Sequence, residues 1–280
     1  MLSAPELKNE VNTLADFRSP GAVILAAGSG TRLRREASSL PKPLVVLRGL
    51  SLAERSITQM LAVGVNQFFV VLGSDADRVR CEFELVADRR GCRIDFAVAE
   101  DWQKGNGASA AAVQKLVGNR PFLLTMVDHL VPPEMIRTVL ADPPRGEEIV
   151  LAVDFDTHNV FDVPDLTKVQ VIDEYVAAIG KDLENWNAGD TGLFYCTAVL
   201  FDGLWRARKR GGFSLSDGIR DLVAQGRVRA IDVSGECWLD VDTPQAFREA
   251  MRRIDESAPL PVLLKDSLAV IEEGALQRPL

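Results

Sequence analysis

The chain has 280 residues, 47% of them hydrophobic and 26% charged, a composition typical of soluble enzymes and unlike that of disordered or fibrous proteins. Its formal net charge of −8 argues against a nucleic-acid-binding protein, because such a protein needs a basic face to neutralise phosphates. The four cysteines lack CxxC spacing, so we expect free thiols. The N-terminus lacks the apolar core of a signal peptide, and no apolar run approaches the ~20 residues that cross a bilayer, so we expect a cytoplasmic protein.

The first half of the chain alternates short apolar runs with stretches of helical spacing. Residues 1–19 are polar, and we predict that they form an extension ahead of a single domain at 20–256. Strands that alternate with helices form βαβ units, so we predict an α/β fold with a Rossmann-like, mostly parallel sheet and helices on both faces. The predicted strands are 21–26, 67–73, 93–98, 121–127 and 148–154, and the predicted helices are 52–63, 77–87, 108–117 and 133–140.

The second half has a different pattern. A hairpin is predicted over 169–172 and 176–179, a helix near 215–224, and further strands and loops around 187–196 and 238–243. This half is predicted to add a small β region beside the same sheet. Residues 257–280, which include the amphipathic segment LLKDSLAVIEE, are predicted to be a C-terminal tail or linker.

The segment ILAAGSGTRLRREASSLPKPLV carries the strongest functional signal. Small residues after a buried strand let the backbone approach a ligand and leave amide N–H groups for phosphate oxygens, and two cations follow, one of them between prolines. A nucleoside triphosphate requires such donors and positive charges. The alternative is a tight surface turn followed by solvated basic residues. The residues concerned are Ala26, Ala27, Gly28, Ser29, Gly30 and Thr31 as the loop, and Arg32 and Lys42 as the cations.

Two better-known phosphate loops do not fit this segment. A dinucleotide-binding fingerprint would have a third glycine where Leu33 stands, and a P-loop would continue with GK[ST].

The segment resembles the signature of the sugar-phosphate nucleotidyltransferase superfamily, which includes the MobA-like NTP transferases. The resemblance implies a nucleotidyltransferase (GT-A-like) fold in which the loop holds the nucleotide while Arg32 and Lys42 contact the triphosphate. EDWQKGNGASA, LTMVDHLV, IGKDLENWNAGDTGLF and WLDVDT further resemble cytidylyltransferases that use inositol 1-phosphate, which occur alone or as the soluble half of bifunctional di-inositol-phosphate-phosphate synthases. CTP and inositol 1-phosphate are therefore the expected substrates, and CDP-inositol and pyrophosphate the expected products.

Carboxylates at predicted strand ends are candidates for a metal site. Asp128 follows an apolar strand, and Asp240 and Asp242 lie in WLDVDT. Two carboxylates with phosphate oxygens form the environment that Mg²⁺ prefers, and the resemblance assigns Mg²⁺ to Asp128 and Asp240. Each carboxylate has an alternative role as a helix cap. Asp242, before Thr243-Pro244, is a further candidate ligand but an equally good helix start.

Three other segments are candidates for substrate contacts. In KGNG, close backbone approach at Gly105 and Gly107 and the amide of Asn106 suit recognition of a pyrimidine edge, although an ordinary helix-start turn is the alternative. The resemblance places Lys181 and Asp190 in the acceptor pocket, where Lys181 would pair with the acceptor phosphate and Asp190 would accept hydrogen bonds from ring hydroxyls. The alternative for Lys181 is a solvated lysine on a hairpin. The list of expected acceptor-side residues is Lys181, Asp190 and His129, the last as a residue that lines the site rather than a general base.

Several alternatives remain. Phosphocholine, a hexose 1-phosphate or a molybdopterin-type cofactor could replace inositol 1-phosphate, and Trp102, Trp186 and Trp205 are available for the aromatic cage that choline would need. A non-catalytic nucleotide sensor on the same fold is the alternative of another class, although such a protein is expected to lose the metal carboxylates or the lysine. The tail resembles the linker that precedes the membrane transferase domain in the bifunctional relatives, so we expect the chain to be either a stand-alone enzyme or one half of such a fusion. The sequence does not indicate an oligomeric state.

Overall fold

The computed structural model describes residues 20–34, 40–158 and 160–256. The predicted extension at 1–19 and the predicted tail at 257–280 lie outside the described residues. The strands are β1 (Gly21–Ala26), β2 (Val46–Leu47), β3 (Leu50–Ser51), β4 (Gln67–Leu72), β5 (Arg93–Val98), β6 (Phe122–Met126), β7 (His129–Leu130), β8 (Ile149–Asp154), β9 (Lys168–Ile172), β10 (Tyr175–Gly180), β11 (Ala188–Cys196), β12 (Val228–Asp232) and β13 (Leu239–Asp240). The helices are α1 (Thr31–Arg34), α2 (Leu52–Leu61), α3 (Ala76–Arg90), α4 (Asn106–Ala111), α5 (Gln114–Val117), α6 (Pro133–Ala141), α7 (Val199–Lys209), α8 (Leu215–Val223) and α9 (Pro244–Glu256).

One nine-stranded sheet organises the described part of the chain, in the order β5-β4-β1-β6-β11-β8-β12-β10-β9. The four strands β5, β4, β1 and β6 are parallel, as the alternation of apolar runs and helices predicts. Strand β1 is buried on both faces: Ile24 belongs to the hydrophobic core on one side and Leu25 to the core on the other. Helices α2, α3, α6 and α9 pack on the first side, and α4, α5, α7 and α8 on the second. The α/β fold class with helices on both faces is therefore confirmed.

The second half of the chain joins this sheet rather than forming a separate layer. Strand β11 lies between β6 and β8 and runs antiparallel to both, and β9 and β10 form the predicted hairpin at the far edge. Strand β12 and helices α7 and α9 are additional to the sequence prediction. In the described residues, no helix is both long enough and apolar enough to span a membrane.

Helices α7 and α8 pack closely because glycines face each other. A Cβ atom at Gly203 would lie 2.7 Å from the carbonyl oxygen of Gly218. The glycine that permits this contact also interrupts the apolar pattern of α7, which explains why the helix was not predicted.

A buried arginine fixes one end of the sheet. The side chain of Arg229 on β12 is 1% exposed and donates to Glu148 at 3.0 Å, to Asp142 at 2.6 Å and to the carbonyl oxygen of Pro143 at 2.9 Å. Because Glu148 is also buried, each charge depends on the other for compensation.

We expect Arg229→Leu to lower the free energy of unfolding by about 3–5 kcal/mol, because the substitution leaves the buried Glu148 carboxylate without its cation. Urea denaturation measures the change. Arg227→Leu is the matched control: Arg227 meets the exposed Glu147 at 3.5 Å, and we expect a change within about 0.5 kcal/mol. Equal effects of the two substitutions would contradict this account of the network.

Candidate active site

A cleft of about 570 Å³ opens where the carboxyl ends of β1 and β6 meet the start of β11. Ligand sites in open α/β sheets lie at this edge. The cleft is lined by every predicted site residue except Ser29 and Gly107: Ala26, Ala27, Gly28, Gly30, Thr31, Arg32, Lys42, Gly105, Asn106, Asp128, His129, Lys181, Asp190, Asp240 and Asp242. Segments that are far apart in the sequence are thus brought together as one site.

Lys42 is the buried cation of the cleft. It begins a single 3₁₀ turn, Lys42–Leu44, and is stiffened by a proline on each side, Pro41 and Pro43. Its ammonium pairs with the carboxylates of Asp128 and Asp242. Gly30 (φ +62°) packs against its stem, because a Cβ atom there would lie 2.8 Å from the Cβ of Lys42. The glycine-rich loop and the PKP segment are therefore packed together, as a shared role toward one ligand requires.

A second set of charges crosses the mouth of the cleft. Asp165, which no sequence motif singles out, accepts from Arg32 at 2.8 Å and also pairs with Lys181. Burial opposes its ionisation, but these two cations together lower the pKa of Asp165. The hydrogen bond to Asp165 in turn raises the pKa of Arg32, so its charge is secure. Arg32 also pairs with Asp242.

Asp128 and Asp240 meet because of a small separate sheet. Strands β7 and β13 pair so that Asp240 lies opposite His129, and the amide N–H of Val241 donates to the carbonyl oxygen of Asp128 at 3.0 Å. Burial and the neighbouring Asp128 charge raise the pKa of Asp240. Burial also opposes ionisation of Asp128, but the Lys42 ammonium lowers its pKa below the usual value.

The two carboxylates are incompletely satisfied by protein groups. One oxygen of each, Oδ1 of Asp128 and Oδ1 of Asp240, is buried without a hydrogen-bond partner among the described residues. Such atoms are costly unless a further group compensates them. Together with His129 they form a cluster whose potential ligand atoms lie within 4.8 Å of one another, so these residues could hold a divalent metal ion.

The alternative roles as helix caps are not observed. Helix α6 begins after Pro132 with no side-chain cap, so Asp128 does not cap it. At the start of α9 the hydroxyl of Thr243 accepts from the amide of Ala246 at 3.1 Å. The carboxylate of Asp242 points instead to Lys42 and Arg32.

Asp190 lies in the cleft on β11, where its Oδ1 accepts from the amide of Gly192 at 2.8 Å. Burial raises the pKa of its carboxyl group to about 6. The pKa of this group is therefore higher in the folded state than in the unfolded state, where it is near 4. The group makes its full contribution to the free energy of unfolding below about pH 4, and this contribution is lost as the pH rises through about 6.

We therefore expect Asp190→Asn, which stays neutral and keeps the acceptor for Gly192, to be as stable as the wild type near pH 4. Between pH 4 and pH 8 the variant should become more stable than the wild type by about 2–3 kcal/mol, since each pKa unit is worth about 1.4 kcal/mol. Denaturation of both proteins across this range measures the difference. A difference that does not change with pH would refute the burial of this charge.

The KGNG turn has a structural role of its own. Asn106 accepts through its side-chain oxygen from the amide of Leu215 at 2.7 Å. Cβ atoms at Gly105 and Gly107 would lie 2.7 Å from the carbonyl oxygen of Phe213 and 2.5 Å from that of Ser214. The glycines are thus explained by backbone packing, and contact with a base remains a prediction for Gly105, Asn106 and Gly107.

The tryptophans do not form one aromatic cage. Of the three candidates only Trp102 lines the cleft. Trp205 is exposed on α7 with Lys209 over its ring, and Trp186 packs under Lys168. A second cleft residue, Trp238, is held by a hydrogen bond of 2.9 Å from Nε1 to Asp154.

Comparisons with known proteins agree with this geometry. The model of the MobA-like NTP transferase domain matches residues 22–212. The bifunctional IPC transferase and DIPP synthase of Rubrobacter xylanophilus is 35% identical over 232 residues, 81% of this chain and 50% of that protein. The protein of the same name from Thermococcus kodakarensis is 34% identical over 239 residues, 85% of this chain and 51% of that protein. The chain thus spans about half the length of these curated relatives.

Solved structures agree on the fold. The inositol-1-phosphate CTP transferase from T. maritima has a TM-score of 0.73 at 24% identity and covers 86% of this chain and 98% of its own. A UDP-glucose pyrophosphorylase complexed with UDP-glucose has a TM-score of 0.66 at 17% identity and covers 85% and 98%. With a nucleotidyltransferase fold, the predicted loop and cations in one cleft and a family model that matches most of the sequence, the chain belongs to the MobA-like NTP transferase family.

Proposed function

We propose that the chain transfers CMP from CTP to inositol 1-phosphate in a Mg²⁺-dependent reaction that gives CDP-inositol and pyrophosphate. The observation that carries the proposal is the convergence of Lys42 and Arg32 with the Asp128–Asp240 pair below the glycine-rich loop. This arrangement combines positive charge for phosphates with carboxylates that have unused oxygens. The names of the relatives and of the T. maritima structure supply the choice of CTP and inositol phosphate.

The nucleotide is assigned to the loop of residues 26–31. Gly28 is exposed, and no described atom lies within 4 Å of the position that a Cβ atom would take there. A ligand can therefore approach the backbone closely. Arg32 and Lys42 stand beside this loop and would neutralise the β- and γ-phosphates. Gly105, Asn106 and Gly107 are assigned to the base.

The metal is assigned to Asp128 and Asp240. Their Oδ1 atoms, which lack a hydrogen-bond partner in the part of the chain that the structure describes, fit a hard cation, since carboxylate oxygens are preferred ligands of Mg²⁺. When bound, Mg²⁺ supplies neutralisation of charge on the phosphate oxygens. Asp242, which pairs with both cations, is assigned to their positioning.

The acceptor is assigned to Lys181 and Asp190, with His129 as a further residue that lines the same cleft. Lys181 would pair with the acceptor phosphate, and Asp190 would accept hydrogen bonds from ring hydroxyls. An oxygen of the acceptor phosphate attacks the α-phosphorus of CTP and forms a new P–O bond. The bond between the α-phosphorus and the oxygen that bridges it to the β-phosphorus breaks, and pyrophosphate leaves with that oxygen. The acceptor phosphate is already anionic near neutral pH, so the protein contributes alignment and charge stabilisation rather than a strong base.

A panel of substrates tests the proposal. Pyrophosphate release is measured for each of the four NTPs with inositol 1-phosphate, phosphocholine and glucose 1-phosphate, with Mg²⁺ and with EDTA. We expect release with CTP and inositol 1-phosphate, and its abolition by EDTA. Preference for another pair would correct the substrates, and no release with any pair would favour a nucleotide sensor.

A further inference from the structure

The imidazole of His129 is held in one orientation by the main chain. Its Nδ1 lies 3.1 Å from the carbonyl oxygen of Thr191. A carbonyl oxygen can only accept, so Nδ1 carries the proton and donates, and in the neutral ring Nε2 presents its lone pair. Metal-binding histidines are oriented in this way, with the other ring nitrogen donating to a backbone carbonyl.

The backbone beside the ring is shaped to admit it. Gly192 has φ +75°, and a Cβ atom there would lie 2.0 Å from Nδ1 of His129. No other residue type could occupy position 192 without displacing the imidazole. The side chain of His129 is 11% exposed, so the ring is enclosed rather than free to turn into solvent.

The free nitrogen faces the two carboxylates. Nε2 of His129 lies 3.6 Å from Oδ2 of Asp240, and the potential ligand atoms of Asp128, His129 and Asp240 all lie within 4.8 Å of one another. Metal–ligand distances of about 2.1 Å place adjacent ligands about 3 Å apart and opposite ligands about 4.2 Å apart. The 3.6 Å separation of Nε2 and Oδ2 lies in this range, and the 4.8 Å limit for the whole cluster lies slightly above it.

We propose that His129 is a third protein ligand of the metal, through Nε2, so that the site is formed by two carboxylates and one imidazole rather than by oxygen alone. The inference rests on the proposed function only in assuming that this cleft binds a divalent metal. It assigns His129 to the metal site rather than to the acceptor pocket. Imidazole is a ligand of first-row transition metals, whereas Mg²⁺ and Ca²⁺ take oxygen ligands, and Mn²⁺ is the transition metal ion that also accepts a site rich in carboxylates. The site should therefore bind Mn²⁺ more tightly than Mg²⁺, with Mg²⁺ still a competent occupant.

Mn²⁺ bound to the full chain provides a direct test, because nitrogen coordination is visible in the electron spin echo envelope modulation of Mn²⁺. The sequence contains two histidines, His129 and His158, and His158 is exposed, so His158→Gln is a matched control. We expect ¹⁴N modulation in the wild type and in His158→Gln, and its loss in His129→Gln. We also expect the Mn²⁺ dissociation constant to rise at least 10-fold in His129→Gln, while that for Mg²⁺ changes less than 3-fold.

Gly192→Ala is a second variant that keeps both histidines and both carboxylates. Because its added methyl group displaces the ring, it should lose the ¹⁴N modulation while the melting temperature shows that the chain is folded. Bound Mn²⁺ without ¹⁴N modulation in the wild type, or modulation that persists in His129→Gln, would overturn the inference and leave metal-dependent transfer intact. Failure of the wild type to bind Mn²⁺ at all would overturn the metal assignment itself.

Discussion

Asp128→Asn is expected to lower the turnover of CTP-dependent pyrophosphate release by about 10³-fold or more, since loss of metal-borne charge stabilisation costs several kcal/mol in the transition state. Asparagine keeps the shape of the side chain but removes the negative charge that pairs with Lys42. In the described residues Oδ1 of Asp128 has no hydrogen-bond partner, so that oxygen is the one expected to bind the metal. Steady-state turnover at saturating CTP and Mg²⁺ measures the effect.

The control for this prediction is Asp232→Asn. Asp232 is the exposed last residue of β12 and does not line the cleft, so turnover should stay within about 2-fold of the wild type, as for a surface site. Mg²⁺ titration of Asp128→Asn should show weakened binding. Near wild-type turnover in this variant would remove Asp128 from the metal site.

Lys42→Met is expected to reduce turnover by about 10²–10³-fold, the effect of losing one positioned charge stabiliser. The ammonium of Lys42 is fixed by a proline-flanked 3₁₀ turn and is buried between Asp128 and Asp242. Its charge therefore acts in a low-dielectric environment where electrostatic interactions are strong. If Lys42 acts on the transition state, turnover should fall much more than the affinity for CTP.

Lys209→Met is the control, because Lys209 is exposed over Trp205 on α7, and we expect its kinetics to match those of the wild type. Lys42→Met also leaves the Asp128 and Asp242 carboxylates without their shared cation, so its melting temperature is measured beside the kinetics. Unchanged turnover in a folded Lys42→Met protein would refute the assigned role.

The parallel half of the sheet was predictable because its strands are continuous apolar runs, which burial on both faces requires. Strand β11 was harder, because AGDTGLFYC contains two glycines and two polar residues. Of these, Asp190 and Gly192 line the cleft. Strand β12 contains Arg229, whose charge conceals a central strand unless its buried partners are known. Strand β12 was thus missed because its buried charge is compensated by distant parts of the chain.

The candidate site shows the same division. The loop, the two cations and Asp128 follow directly from local sequence and strand ends, whereas Asp165 lies in an unremarkable turn and matters only because Arg32 and Lys181 converge on it. The setting of His129 depends on Thr191 and Gly192, which local patterns cannot place beside it. Pairwise contacts between distant segments carry information that single-segment patterns lack.

The pairing of β7 with β13 has a consequence for biosynthesis. A ribosome that has released the chain only through β11 has already delivered the glycine-rich loop, both cations and Asp128, but Asp240 and the register that aligns it with His129 are still to come. A growing chain at that stage can present phosphate-binding groups without the second carboxylate. Catalytic competence should therefore appear only after β13 has been synthesised, because that strand completes a site whose first groups follow β1.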